Sequence, residues 1–134
     1  MNDENLEAMV IEWLNDLVPD YPASSDTPKK LPNKFILVER TGGGREAMLG
    51  DAAEILIEVY DKDSRYECSQ IAGYIGDQLR QLPVEYENIT SAKLNSMLSL
   101  DDTVKQYHRY QLYCDIFHSR VAFNWTPPIT PPSA

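Results

Sequence analysis

FILVERTGGGREAMLGDAAEILIEVYD, residues 35–61, decides the fold. Phe35 to Thr41 offers apolar groups to both faces of a strand. Ile55 to Asp61 does the same, with Ile55, Ile57 and Val59 on one face and Leu56 and Tyr60 on the other. Residues 41–51 between them, beginning with Gly42, Gly43 and Gly44, predict a glycine-rich hairpin loop, because three glycines give the backbone the freedom a hairpin tip needs. A phosphate cradle would set such glycines between a strand and a helix and follow them with Lys-Ser or Lys-Thr. That pair is absent from the sequence.

Outward from this hairpin, both flanks turn helical. Upstream, Leu6, Met9, Val10, Trp13, Leu14 and Leu17 recur at three- and four-residue spacing, an amphipathic helix that Pro19 ends. Residues 19–34 carry four prolines and predict a stiff connection, either a surface crossover or a contact arm. Downstream, Ser64 with Glu67 forms a capping box, and Cys68, Ile71, Ala72, Ile75, Leu79 and Leu82 follow at helical spacing until Pro83. Two alternating strands come next. Ala92, Leu94, Ser96, Leu98 and Leu100 form one inward set, and Tyr110, Leu112, Cys114 and Ile116 the other. The expectation is α+β: a mostly antiparallel four-stranded sheet, both helices on one face, in the order α-β-β-α-β-β, as a single domain over residues 1–125. Residues 126–134, with four more prolines, predict an extended tail.

Composition bounds the function. The 134 residues carry 12 Lys and Arg against 21 Asp and Glu, a formal charge of −9, which argues against a domain built to grip phosphates. It does not argue against a protein that lets DNA pass. The first twenty residues are acidic without Lys or Arg, unlike a secretory signal or presequence, so a cytoplasm is expected. No apolar run is long enough for a membrane span, so no membrane partner is expected. Cys68 and Cys114 sit among apolar neighbours and read as packed, reduced thiols. His108 and His118 with these two cysteines show no ligand spacing. No nucleophile–base signature stands out. The expectation is therefore a protein that is not an enzyme, with no catalytic residue, cofactor or metal. Tyr113 and Phe117, on the nominal outer face of the last strand, and Phe123 and Trp125 beyond it suggest a covered surface such as a subunit interface.

The run from Phe35 through Glu39-Arg40-Thr41-Gly42-Gly43, a polar loop ending at Gly50-Asp51, and Ile55 to Tyr60 before a helix containing Ile71-Ala72 resembles the tail terminator and related minor tail or neck proteins of siphovirus-like bacteriophages and prophages. The resemblance implies a small α+β subunit of the virion, assembled in the host cytoplasm into a homo-oligomeric ring, typically a hexamer. Such a ring stops growth of the tail tube and meets the head-completion or connector protein. Double-stranded DNA passes through its lumen only as a moving polymer, and an acidic lining would favour sliding. The matching positions Arg40, Thr41, Gly42, Gly43, Gly44 and Arg45 would form a loop that touches the tube or a neighbouring subunit. Another head–tail joining component, a non-viral adaptor that binds proteins, and an uncharacterised enzyme are the other readings.

Overall fold

The computed structural model describes residues 3–46 and 50–118. Helix α1 (Asp3–Leu17) is followed by strands β1 (Ala23–Ser24), β2 (Lys34–Glu46) and β3 (Gly50–Asp61). Helix α2 (Arg65–Gln78) continues through a 3-10 turn (Leu79–Gln81) into the short helix α3 (Leu82–Glu85), and strands β4 (Ile89–Ser99) and β5 (His108–His118) complete the chain as described. The protein is α+β. One sheet runs β1-β2-β3-β5-β4, antiparallel except for the parallel β1–β2 pair.

Both principal helices cover one face. Leu6, Val10, Trp13 and Leu14 of α1 and Cys68, Ala72 and Ile75 of α2 share a buried cluster with Ile36, Val38, Ile55, Ile57, Val59, Leu112, Cys114 and Ile116. Those strand positions alternate along paired registers, so a single face holds them all. The expected helix stripes are the ones that become buried. Ser64 caps α2 by accepting a hydrogen bond from the Glu67 amide at 3.0 Å.

Three expectations need correction. The sheet has five strands and is mixed, because part of the proline-rich connection pairs: Ala23 and Ser24 lie alongside Ile36 and Leu37. Pro22 lacks a donor but still supplies a carbonyl, which accepts from the Ile36 amide at 2.9 Å. Secondly, the helical path does not end before Pro83, which occupies the first turn of α3, where a missing amide hydrogen costs nothing. The element order therefore gains β1 and α3 over the expected six.

The third concerns the glycines. Gly42, Gly43 and Gly44 are not in a loop; they are ladder residues of β2 opposite Glu54, Ala53 and Ala52. Pairing uses backbone groups that glycine possesses in full, and the β3 residues opposite pair on their other side with β5, Ala52 with Phe117 and Ala53 with Ile116. The irregularity the glycines suggested falls at Thr41, where the register shifts between Arg40 and Gly42.

Among the described residues, the other face of the sheet is covered only at one end. Phe35 and Tyr60 stack with centroids 4.4 Å apart, and Tyr107 meets both edge-on. The Tyr107 hydroxyl donates to the Pro32 carbonyl at 2.7 Å, and Leu31 packs on the cluster. The 19–34 connection thus crosses from the helix side to the opposite side and seals that end.

Candidate assembly surface

A sheet has two edges, and every edge strand turns a row of N–H and C=O groups outward. At one edge β1 is two residues long, and the Asn15 side chain occupies the backbone of Ala23 from outside. Its Oδ1 accepts from the Ala23 amide at 2.8 Å and its Nδ2 donates to the Ala23 carbonyl at 3.2 Å. Farther along, where β1 no longer covers β2, Glu7 Oε2 of α1 accepts from the Arg40 amide at 2.8 Å. The connection behind β1 is anchored by Asp61, fully buried. Its Oδ2 accepts from the Tyr21 hydroxyl at 2.6 Å, and its Oδ1 accepts from the amides of Asp63 and Ser64 at 2.9 and 3.0 Å. Burial and then the bond to Asp61 push the Tyr21 phenol well above its ordinary range.

The other edge is β4, eleven residues long, with β5 on one side and no described strand on the other. Every residue from Lys93 to Leu100 is exposed. Leu94, Met97, Leu98 and Leu100 keep 36%, 40%, 50% and 53% of their surface in water. The alternation expected for this strand placed Leu98 and Leu100 inward with Ala92 and Leu94. The structure overturns that after Leu94. A register shift lies between Leu94 and Ser96, so Met97 pairs with Leu112 on the helix side while Leu98 pairs with Gln111 on the opposite face. One extra residue, Asn95, reverses every side chain after it.

The sequence-predicted site residues do not form one constellation. Arg40 is half-buried at the closed edge, with its Nε donating to the Gly42 carbonyl at 3.2 Å. Thr41 is exposed, and its hydroxyl donates to Glu54 Oε1 at 2.9 Å. Gly42 to Arg45 continue the β2–β3 ladder, Arg45 opposite Asp51. Tyr113 and Phe117 are half-buried on the face away from the helices, opposite Leu56 and Ala52. Beside Phe117 a shallow depression of about 350 Å³ is walled by Glu54, Lys93 and Asp115. Phe123, Trp125 and the 126–134 tail lie outside the described residues. The residues that the sequence reading missed as exposed are Leu98 and Leu100, while Met97, at an outward position of that alternation, comes to the helix side. Asn95 inside an alternating run was the available signal, but one polar residue at an outward position also fits an unbroken strand.

Chemically, β4 and the open face beside it can accept another strand and bury apolar side chains. The two thiols are held as S–H. Burial pushes both Cys68 and Cys114 up to about 12, and Cys68 Sγ donates to the Val59 carbonyl at 3.3 Å. Among the described residues no three His, Cys, Asp or Glu side chains are grouped to hold a metal ion, and no helix is long and apolar enough to cross a membrane. No protein-family model matches the chain, and no curated protein matches it.

Proposed function

We propose that this protein is a structural assembly subunit of a siphovirus-like phage tail or neck. In that reading it is a tail terminator whose copies close into a ring, about a hexamer, over the tail tube. The ring joins the tube protein to the head-completion or connector protein, and double-stranded DNA passes through the lumen. Its place is the virion, reached from the host cytoplasm.

One observation carries the reading: the sheet's two edges are treated oppositely. The chain uses Asn15, Glu7 and a two-residue strand to block one edge; the other is long, carries the exposed Leu94, Met97 and Leu98, and has no described strand beside it. An open edge of this kind is an association site or an aggregation hazard. The formal charge of −9 also suits a lining that repels a passing phosphate backbone. The same edge supports a second reading, a non-viral adaptor that takes a strand from a different protein.

Light scattering across a concentration series, with negative-stain imaging, separates the two. A closed ring of about six copies with a channel supports the first. A chain that stays monomeric and neither binds nor caps tail tubes overturns it.

A further inference from the structure

Resting on the self-association reading above, we propose that the occupant of the β4 edge is the segment Val121–Trp125 of a second copy, added in trans as a sixth strand.

The acceptor is limited by geometry. β4 is irregular at Thr90 and at Asn95, and bulges turn an edge away from further pairing. Beyond Asn95 the ladder is clean: Ser96 to Ser99 pair in order with Tyr113 to Tyr110, and the Leu100 amide donates to the Arg109 carbonyl at 3.0 Å. This unbroken stretch, Ser96–Leu100, is five residues long and uncharged. Leu98 and Leu100 project from its open face, the face of Gln111 and Arg109.

The donor is read from the sequence. Val121-Ala122-Phe123-Asn124-Trp125 is also five residues long and uncharged, and its three large side chains alternate. Extended, they share one face and can cover Leu98 and Leu100. Pro127 and Pro128 follow at once and stop the pairing from running on.

The segment cannot serve its own edge. β5 ends at His118, level with Ile89 at the start of β4. Ser96 lies seven residues farther along, about 23 Å away at a rise of about 3.3 Å per residue. Only Ser119 and Arg120 separate His118 from Val121, a span of three residue steps that reaches at most about 10 Å. The donor must come from another copy. Donor and acceptor are different surfaces, so the contact is head-to-tail and repeats until a ring closes.

The test uses two full-length variants. Phe123→Ser with Trp125→Ser removes the donor. Leu98→Lys with Leu100→Lys removes the acceptor at exposed positions, and Leu98→Glu alone replaces it should that chain fail to fold. By light scattering the unaltered chain gains mass with concentration, while each variant alone associates at least about tenfold more weakly. A one-to-one mixture retains one good donor and one good acceptor, and forms a two-chain species but nothing larger.

Three results overturn the proposal: an unaltered chain that stays single, a donor variant that still associates, or a mixture that stays single. Capping of tail tubes is scored separately. Capping by a chain that fails the mixing test removes the strand exchange and leaves the tail reading standing. Successful mixing without any capping does the reverse.

Discussion

The two edges of this sheet are made of similar backbone but surrounded by different chemistry. At the β1 edge, polar side chains reach the outward backbone groups: the exposed Asn15 on Ala23 and the half-buried Glu7 on Arg40, with the buried Asp61 holding the connection behind them. At the β4 edge Leu94, Met97, Leu98 and Leu100 stand in water, and the far end is held by two ion pairs, one part-exposed and one on the buried Asp102. Arg65 reaches both carboxylate oxygens of Asp101, and Lys105 meets Asp102 at 3.1 Å. A buried hydrogen bond that loses its partner leaves a desolvated group behind, whereas an exposed one is replaced by water. The closed edge therefore belongs to the stability of the monomer. The exposed stretch Lys93–Leu100 of the other edge contributes little to it.

The sharpest way to break this contrast is Asp61→Ala. It strips a fully buried acceptor from the Tyr21 hydroxyl and from two turn amides. The loss should be about 3 kcal/mol in denaturant unfolding. A loss below about 1 kcal/mol would mean that this anchor does not hold the closed edge. The raised Tyr21 phenol gives a second readout. Its folded value lies above the unfolded one near 10, so its contribution is complete below pH ~10 and is lost as pH rises beyond that. Tyr21→Phe should make the alkaline loss shallower without abolishing it, because Tyr60, Tyr86, Tyr107 and the two thiols are raised as well.

Next in size is Glu7→Ala, which leaves the Arg40 amide without its carboxylate partner. Unfolding should become easier by about 1–2 kcal/mol. The larger consequence is a second open edge, read as indefinite growth in light scattering in place of a species of fixed size. Unchanged particle size would show that covering by α1 suffices without the hydrogen bond.

For the open edge itself, Leu98→Ser should change monomer stability by no more than about 0.5 kcal/mol, because half of Leu98 is already in water. Association should fall nonetheless. A loss of about 2 kcal/mol or more by denaturation would make Leu98 a core residue and erase the difference between the edges.

These expectations mark where the sequence was readable. The helix stripes, and the buried sets on β3 and β5, follow from period, because tertiary packing and local pattern agree there. The strand in the proline-rich connection was hidden because Ala23 and Ser24 pair only through contacts with Asn15, Pro22 and Ile36 brought from elsewhere. Gly42 to Gly44 misled because glycine's permissiveness allows a loop without requiring one. Tyr113 and Phe117 were legible as outer-face residues. The exposure of Leu98 and Leu100 was not, since a single bulge at Asn95 turned these apparently inward residues outward.

The smallest effect tests the ends of the open edge. Its ion pairs hold the Asp101 and Asp102 carboxyls below the usual carboxylate range. The bond from Arg65 is the main cause at Asp101, and the Lys105 amide, at 3.0 Å, is the main cause at Asp102. A lowered folded value means that the stabilisation is present above the unfolded value near 4 and is lost as pH falls through the depressed one. The difference in Tm between the unaltered chain and Arg65→Ala should therefore be largest near neutrality and vanish in strong acid. Arg65 and Asp101 are part-exposed, so about 1 M salt should shrink that difference as well. Salt should leave the Asp61→Ala deficit almost untouched, because Asp61 is buried and its partners are hydrogen-bond donors, not exposed charges. Equal salt sensitivity at the two sites would mean that both edges are held by the same surface electrostatics, and the division of labour between them would fail.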